Sequence, residues 1–325
     1  MEIVVFGAGS IGSLLGGLLA CVPDHDVTLV GREAHVDAVR QEGLRITGRE
    51  AFTVRPDATT DGTGLAADLA LVTVKAFDTE SAARELRTGD FRAVCSLQNG
   101  MGNEDVLAGA LDCPVLGGTT SYGAVREAPG EVTWNGAGDL VVGPWEPRDC
   151  DGVAGEVAEA FRAAEIDAER VDADGIRKRL WEKLAVNAAI NPTTALARAE
   201  NGALAAPPAA DLVAPIAREV AATAQAVGVD LGEAETIEAV EAVVDATAEN
   251  ESSMCHDVRR GRRTEIDVIN GYVVERAREA GIDVPTNRTL WTLIRAWEAG
   301  RGHGESSDDG DGDGDGDDDG DSDGA

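Results

Sequence analysis

The sequence predicts an α/β domain in the first half of the chain and an all-α domain in the second half. The first half contains six short apolar runs that are rich in β-branched residues: Ile3–Phe6, Val27–Val30, Leu69–Val74, Val94–Leu97, Val115–Gly118 and Leu140–Val142. Helical patterns or turns rich in Gly and Asp separate these runs. Continuous apolar runs indicate strands buried on both faces, which is typical of a parallel sheet built from βαβ units.

From about Ala173 the pattern changes to apolar residues spaced three and four apart, and no strand-like run of comparable quality remains. This spacing predicts four helices: Asp174–Ala197, Ala209–Val227, Glu233–Ala248 and Arg263–Ala280. We therefore expect an α/β domain over residues 1–172, a helical domain over residues 173–302 and a tail over residues 303–325.

The tail is predicted to be disordered, because residues 304–325 contain no apolar residue before the final alanine. Its alternating Asp and Gly suggest the calcium loop of an EF-hand. A loop beginning at Asp311 would need Glu at its twelfth position, where Ser322 stands, and flanking helical patterns are absent. The tail is therefore interpreted as a passive acidic segment.

The net charge of −32 disfavours nucleic acid and anionic membranes as partners. A surface adapted to multimolar salt is the preferred explanation for this charge. No apolar stretch approaches the roughly 20 residues needed to span a bilayer. Five scattered cysteines and four dispersed histidines favour a reducing cytoplasm, without a disulfide framework and without a metal site.

A G-x-G-x-x-G sequence directly follows the first predicted strand and consists of Gly7, Ala8, Gly9, Ser10, Ile11 and Gly12. Gly7 permits a tight turn, Gly9 lets a pyrophosphate approach the backbone, and Gly12 lets the following helix pack closely on the strand. The phosphates would then lie at the positive end of that helix. With a second strand at residues 27–30, this context predicts a Rossmann-type domain that binds a nicotinamide dinucleotide.

The second predicted strand ends at Gly31 and Arg32, where an NAD-binding chain usually carries Asp or Glu. An acidic residue there would bind the ribose 2′-hydroxyl, whereas Arg32 can bind a 2′-phosphate. We therefore expect NADPH as the cofactor, with NADH less favoured. The neighbouring Glu33 acts against this preference, and a solvated Arg32 without a role is the alternative.

Two polar motifs close βα units of the first domain. Lys75 follows the run Val72–Val74, and Asn99 lies in the sequence SLQNGMG after the next strand. Residues just past the carboxyl ends of parallel strands line the ligand crevice of such a domain. Both side chains are therefore expected to face the nicotinamide end of the cofactor.

In the helical half, Lys183, Asn187 and Asn191 are spaced four residues apart and form one polar stripe on an apolar helix. A solvated helix face is the alternative, but this chain otherwise uses Asp, Glu and Arg as surface residues. Further on, Glu265 and Asp267 lie on another predicted helix. Taken alone, they are equally compatible with caps or with ion-pair partners of the neighbouring arginines.

Several longer motifs occur together: GAGSIG, VTVKAFDT, QNGMGN, WEKLAVNAAINPTTAL, NGAL and DATAENESSMCHDVRRGRRTEIDVINGY. In their order and spacing the chain resembles the ketopantoate reductase family, from residue 1 to about residue 297. The resemblance implies reduction of 2-dehydropantoate to pantoate, for coenzyme A synthesis, with NADPH as the reductant. It implies a small-molecule substrate as the partner and allows a homodimer.

The resemblance also implies roles for individual residues. Lys183 would be the general acid and Glu265 would hydrogen-bond the substrate hydroxyl or the lysine, while Lys75, Asn99 and Glu265 would contact the cofactor. The residues expected to hold the substrate are Lys75, Asn99, Asn187, Asn191, Asn201 and Ser253. The family commonly has Leu and Gln where Cys255 and His256 stand, which leaves the details of that loop open.

The chemistry of carbonyl reduction agrees with these roles. Negative charge develops on the carbonyl oxygen, which requires a positive group that can also give up a proton. A buried lysine meets both needs, whereas arginine does not deprotonate near neutral pH. Two alternatives stay open: a related reductase of another 2-keto or 3-hydroxy acid, and a non-catalytic dinucleotide sensor.

Overall fold

The computed structural model describes residues 1–145 and 150–301. The predicted tail, residues 303–325, lies outside the described residues. The strands are β1 (Glu2–Phe6), β2 (Asp26–Val30), β3 (Leu44–Gly48), β4 (Phe52–Val54), β5 (Asp57–Thr59), β6 (Ala66–Val72), β7 (Asp90–Ser96), β8 (Val115–Thr120), β9 (Gly123–Ala128), β10 (Glu131–Gly136), β11 (Leu140–Pro144) and β12 (Ala168–Arg170).

Within residues 1–145 and 150–301, five α-helices accompany the strands and six follow them. They are α1 (Ser10–Leu19), α2 (Glu33–Glu42), α3 (Thr79–Leu86), α4 (Asn103–Ala110), α5 (Asp151–Ala163), α6 (Ala173–Ala197), α7 (Val213–Ala226), α8 (Glu233–Ala246), α9 (Ser253–Arg259), α10 (Tyr272–Ala280) and α11 (Pro285–Gly300). No helix within the described ranges is both long enough and apolar enough to cross a membrane.

The main sheet has eight strands in the order β12-β11-β8-β7-β6-β1-β2-β5. The six strands from β8 to β5 are all parallel, in the strand order of a dinucleotide-binding fold. The expected parallel direction is wrong for Leu140–Val142, because β11 runs antiparallel to β8. The chain leaves β8, forms β9 and β10, and re-enters the sheet beside the end of β8. Because no crossover carries it back to the start of β8, β11 runs in the opposite direction.

A second sheet, in the order β4-β3-β10-β9, was not predicted. Its strands are short, and β9 has only partly buried and exposed residues. Such strands contain no continuous apolar run, which explains why the sequence pattern did not indicate them. This sheet matters for the site, since β9 passes beside α1 and carries Arg126.

The predicted helices differ from the observed ones mainly at their ends. The predicted helix Ala209–Val227 begins with a 3₁₀ segment over Ala209–Leu212, and the predicted helix Glu233–Ala248 ends at Ala246. The start of the predicted helix Arg263–Ala280 is wrong, since helical structure begins only with a π segment at Asp267–Gly271. Glu298 on α11 accepts hydrogen bonds from the backbone N–H and hydroxyl of Thr264, which holds this segment outside the helix.

Two hydrophobic cores lie on opposite faces of the main sheet. One is closed by α1, α2 and α5, with Leu14, Val36 and Phe161 fully buried. The other continues from the sheet into the helical half through α6, whose Trp181 and Leu184 pack in the same cluster as Val72. The long helix α6 therefore belongs to the helical half and at the same time covers the sheet.

A proline lies inside α6, and a side chain replaces the hydrogen bond that it removes. Pro192 has no N–H, so the carbonyl oxygen of Ala188 lacks its helical donor. The side-chain amide of Asn270 donates to this oxygen at 3.1 Å, and also to Oδ1 of Asn287 at 3.0 Å. This buried amide joins α6 to the π segment and to α11.

We predict that Asn270→Ala lowers the free energy of unfolding by about 1–3 kcal/mol, because two buried acceptors lose their donor. The double variant Asn270→Ala/Pro192→Ala should recover part of this loss, since an alanine in place of the proline has an N–H that can donate to the carbonyl of Ala188. Denaturant titration measures both values. A double variant no more stable than Asn270→Ala would show that the carbonyl of Ala188 is not the group left unpaired.

Candidate active site

The site lies where β1 and β6 are neighbours in the main sheet. The strand order reverses at this pair, and in open parallel sheets ligands bind in the crevice beyond the carboxyl ends of such strands. Gly7 follows β1, Lys75 follows β6 after two non-strand residues, and Asn99 follows β7. Three sequence-distant segments therefore end at one edge of the sheet.

The glycine-rich turn is built around backbone contacts. Gly7 has a φ of +107°, and a Cβ there would lie 2.6 Å from the backbone nitrogen of Val74. A Cβ on Gly12 would collide with the carbonyl oxygen of Gly7 and the hydroxyl of Thr73. That hydroxyl donates to the same carbonyl at 2.8 Å. Gly7 and Gly12 are therefore required by the close packing of strand, turn and helix.

Gly9 is different, because space is open above it. The nearest atom to a Cβ at this position would be the carbonyl oxygen of Gly7, at 3.9 Å. The helix α1 begins at Ser10 and carries no acidic residue in its first turn, so its positive end faces no charged side chain of its own. A backbone open to close approach at a helix N-terminus fits the pyrophosphate of a dinucleotide.

Glu265 is the centre of a polar cluster that joins the two halves of the chain. Its carboxylate accepts hydrogen bonds from the ammonium of Lys75 at 3.1 Å, the backbone N–H of Ala76 at 3.1 Å and the side-chain amide of Asn99 at 3.4 Å. Asp257 accepts a second hydrogen bond from Lys75, at 2.9 Å. The Glu265 side chain is only 6% exposed, so these partners offset the cost of burying its charge.

The side chain of Lys75 keeps its positive charge. Burial by itself would lower the pKa of Lys75, but Glu265 and Asp257 more than offset that effect and raise the pKa above its usual value. Lys75 therefore stays protonated at any pH near neutrality. A group of this kind binds and orients anions but is a poor proton donor.

Lys183 has the opposite properties. It lies on α6, and its ammonium donates to the carbonyl oxygen of Thr120 at 3.1 Å. Burial lowers the pKa of Lys183 to about 8, and the negative charges of Glu265, Asp139 and Glu104 offset only part of this shift. A lysine with this pKa can give up a proton near neutral pH.

The other residues expected to hold substrate lie on or beside α6 and α9. Asn187 is half-buried, and its side-chain nitrogen has no hydrogen-bond partner among the described residues; Asn191 is buried one turn further on. The amide of Asn201 donates to Thr247 at 2.9 Å, while its buried Oδ1 has no partner within the described chain. Its backbone N–H donates to the carbonyl of Asn250, which places it near Ser253, the exposed first residue of α9.

The structure directly connects Lys75, Asn99 and Glu265 by hydrogen bonds, and it places Lys183 within electrostatic reach of Glu265. It shows no hydrogen bond between Lys183 and Glu265 in the described chain. Arg32 directly precedes α2 and follows Gly31. A Cβ placed on Gly31 would lie 2.9 Å from the Cβ of Ala8. Arg32 therefore lies beside the glycine-rich turn, just past the carboxyl end of β2.

Sequence reasoning missed Asp257 as a member of the cluster. Asp257 lies four residues after Ser253 on α9, and this helical spacing from the ESSM motif was the signal that could have found it. Sequence reasoning also missed how the Asn99 loop is held. The amide of Gln98 donates to the carbonyl of Val74 and to Thr79, so it ties the Asn99 loop to the segment that carries Lys75.

Gly100 lets the Asn99 loop approach the helical half. It has a φ of +78°, and a Cβ there would lie 2.6 Å from the carbonyl oxygen of Val268. The next residue, Met101, donates its backbone N–H to that same carbonyl at 3.0 Å. This backbone contact fixes the distance between Asn99 and Glu265.

Gly102 offers a matched control for Gly100. It also has a positive φ, +91°, but a Cβ there meets nothing closer than 3.7 Å among the described residues. We predict that Gly102→Ala costs about 1–2 kcal/mol of backbone strain, whereas Gly100→Ala costs about 1–3 kcal/mol more through overpacking against Val268. Equal free energies of unfolding for the two variants would contradict the proposed contact.

The strand order, the glycine-rich turn and the lysine pair in the crevice define the class of nicotinamide dinucleotide-dependent oxidoreductases. Residues 3–147 match the family described as "Ketopantoate reductase PanE/ApbA", and residues 175–298 match "Ketopantoate reductase PanE/ApbA C terminal". The chain belongs to the ketopantoate reductase family.

Relatives of known name agree with this assignment. A 2-dehydropantoate 2-reductase of Archaeoglobus fulgidus is 41% identical over 300 residues, covering 92% of this chain and 98% of its own. One of Halobacterium salinarum is 41% identical over 302 residues, covering 91% and 98%. A crystal structure of a PanE/ApbA family ketopantoate reductase from Ralstonia eutropha JMP134 superposes with a TM-score of 0.84 at 33% identity, covering 93% of this chain and all of that one.

Proposed function

We propose that this protein catalyses the NADPH-dependent reduction of 2-dehydropantoate to pantoate. The observation that carries the proposal is the pair of lysines beside Glu265: Lys75 is held charged, and Lys183 has a pKa of about 8. The chain contains only three lysines, and two of them lie at this crevice. The curated relatives that it matches over most of its length are named for this reaction.

The two lysines have different roles in the proposed reaction. When bound, the cofactor supplies a hydride to C2 of the keto acid. Lys183 gives its proton to the C2 oxygen, on which negative charge develops during the reaction. Lys75 and Asn99, both held by Glu265, orient the reacting groups on the other side of the crevice. Lys75 thus supplies orientation and Lys183 supplies proton transfer, and the carboxylate of Glu265 acts on both lysines.

The amides on α6 and after it are suited to the substrate's carboxylate and hydroxyl groups. Asn187 and Asn191 lie one and two turns after Lys183 on the same face of the helix. The unpartnered nitrogen of Asn187 and the unpartnered Oδ1 of Asn201 offer one donor and one acceptor. Buried polar atoms without partners cost free energy, and a polar ligand that pairs them recovers it. Ser253, at the start of α9, completes the proposed set.

The preference for NADPH rests on Arg32. This residue follows β2 where an acidic side chain would bind the 2′-hydroxyl of NADH, and it is exposed beside the turn. A guanidinium makes paired hydrogen bonds with a phosphate. The adjacent Glu33, the first residue of α2, is negatively charged and disfavours a 2′-phosphate. The proposed preference for NADPH therefore depends on the positive charge of Arg32.

We predict that Lys183→Arg lowers kcat by about 10²–10⁴, because arginine keeps the charge but does not release a proton near neutral pH. The KM for 2-dehydropantoate should change less. The measurement is NADPH absorbance with 2-dehydropantoate in multimolar KCl. Lys178→Arg is the matched control, since Lys178 pairs with Glu235 outside the crevice and should keep full activity. A Lys183→Arg enzyme with native kcat would reject Lys183 as the acid.

The pH profile offers a second test of Lys183. A proton donor must be protonated at the start, so kcat/KM for reduction should be constant below the pKa of Lys183 and fall above about pH 8. Glu104 is fully buried, and burial raises its pKa to about 7, so it is ionised at pH 8 and raises the pKa of Lys183.

Glu104→Gln removes that negative charge, and the alkaline limb of the profile should therefore move to lower pH. Asp105→Asn is the control, since Asp105 is the next residue on α4 but hydrogen-bonds Trp145 and does not act on the pKa of Lys183. An alkaline limb that stays in place in Glu104→Gln, or that moves equally in Asp105→Asn, would contradict this coupling.

Turnover of other 2-keto acids separates the proposed substrate from its alternatives. We expect kcat/KM for 2-dehydropantoate to exceed that for pyruvate and for simple branched 2-keto acids. A higher kcat/KM for one of those acids would identify that acid as the substrate and leave the proposed chemistry unchanged. Binding of NADPH without its oxidation by any keto acid would instead favour a dinucleotide sensor.

A further inference from the structure

Arginines from both halves of the chain gather beside the glycine-rich turn. Arg126, on β9, donates its backbone N–H to the hydroxyl of Ser10 at 3.0 Å, and its guanidinium donates to the carbonyl oxygen of Ala8 at 3.5 Å. Its side chain is partly buried against the turn. Arg126 thus lies directly on the backbone that is expected to receive the phosphates.

Three further arginines lie close enough to act on Arg126. Burial lowers the pKa of Arg126, and the positive charges of Arg32, Arg262 and Arg260 lower it further. Arg126 is partly buried and the other three arginines are exposed, and like charges brought near one another repel. The fold therefore maintains an unfavourable arrangement of four cations, defined here as the arginine cluster.

The arginine cluster has no ion pair with a carboxylate of the described residues, whereas several other arginines of this protein do. None of its four members forms an ion pair with a carboxylate in the ranges that the structure describes. By contrast, Arg92 pairs with Glu156 at 2.5 Å and Arg259 pairs with Glu251 at 2.8 Å. A chain with 60 acidic residues and 28 basic ones has carboxylates in excess. Four arginines grouped beside the glycine-rich turn, without an ion pair to a described carboxylate, indicate a place for an anion from outside the chain.

Arg260 and Arg262 reach the turn from the helical half. They belong to residues 257–263, the crossing segment, which is tied down at both ends. Asp257 pairs with Lys75 at 2.9 Å, and Arg263 lies over the ring of Phe77 at 4.7 Å from its centre. The backbone N–H of Arg262 also donates to the carbonyl of Asp257. The crossing segment is therefore held at both ends against residues 75–77, the loop that follows β6.

We propose that Arg126, Arg260 and Arg262 complete, together with Arg32, a phosphate site shared by the two halves of the chain. The cofactor's phosphates would bind between the glycine-rich turn and the crossing segment. This inference rests on the proposed function, because it takes the bound anion to be the phosphates of a nicotinamide dinucleotide. Guanidinium groups bind phosphate oxygens through paired, charge-assisted hydrogen bonds.

The shared site has a mechanical consequence. The crossing segment leads directly into Glu265, which holds Lys75 and Asn99. A phosphate that neutralises the arginine cluster removes the repulsion between the crossing segment and the turn. Cofactor binding then stabilises the closed crevice in which the Glu265 contacts form, so binding and assembly of the site are coupled.

Equilibrium binding of NADPH and NADH to Arg260→Gln and Arg262→Gln tests the proposal without relying on activity. The fluorescence of the bound reduced nicotinamide gives Kd. We expect each variant to weaken NADPH binding about tenfold or more, as is typical when a charged hydrogen bond is lost. Arg259→Gln is the matched control, since Arg259 lies in the same sequence run but pairs with Glu251, and its Kd should stay native.

Thermal unfolding without cofactor checks that the variants fold. Because each substitution relieves repulsion, melting temperatures should equal or exceed the native value, while the rise produced by saturating NADPH should shrink. The two cofactors distinguish the phosphates: a weaker Kd for NADPH alone assigns the cluster to the 2′-phosphate, and a weaker Kd for both assigns it to the pyrophosphate.

Native Kd values in both variants, or an equal loss in Arg259→Gln, would overturn the shared phosphate site. Such a result would leave the proposed function intact if the native protein still reduces 2-dehydropantoate with NADPH. Conversely, a native protein that binds NADPH through this cluster but reduces no keto acid would overturn the proposed function and keep the phosphate site.

Discussion

The buried carboxylate of Glu265 is the interaction on which the site depends. It comes from the helical half, and all three of its hydrogen-bond donors belong to the Rossmann-type half: Lys75, the backbone of Ala76, and Asn99. A buried carboxylate without these donors would be costly, and the donors without it would have no common centre. The two halves of the chain are therefore held in one orientation by the same contacts that align the reactive groups.

Around Glu265, one environment gives two lysines opposite behaviour. Lys75 gains more from two adjacent carboxylates than it loses by burial, so it stays charged. Lys183 meets a backbone carbonyl and only more distant carboxylates, so burial prevails and its pKa falls to about 8. The same residue type thus provides one lysine of fixed charge and one with a pKa near neutrality, and the difference arises from the number and distance of the carboxylates.

The segments around Glu265 are positioned by uncharged hydrogen bonds of the backbone and of side-chain amides. Gly100 allows a backbone hydrogen bond between Met101 and Val268, and Gln98 ties its own loop to Val74. Asn270 repairs the gap that Pro192 leaves in α6, the helix that carries Lys183. These contacts set the spacing of the segments around the crevice, which matters because proton and hydride transfer need closely placed reacting atoms.

The periodicity of apolar residues was sufficient to predict the parallel core of the sheet and the helical second half. Strands buried on both faces and amphipathic helices leave patterns that need no partner to be recognised. The second sheet left no such pattern, because its strands are short and partly exposed. The predicted direction of β11 was wrong, because a strand's direction depends on how the chain connects it to the preceding strand. Apolar periodicity carries no information about that connection.

For the site, the residue types and spacing predicted the glycine-rich turn, Lys75, Asn99 and Lys183, whereas Glu265 was predicted only through the resemblance to the ketopantoate reductase family. Only the tertiary structure decided which lysine is charged and which titrates. It also decided that Asp257 joins Lys75 and that arginines from both halves meet beside the turn. A pKa and an ion pair depend on distances and burial between segments far apart in the chain, and the fold alone sets those quantities.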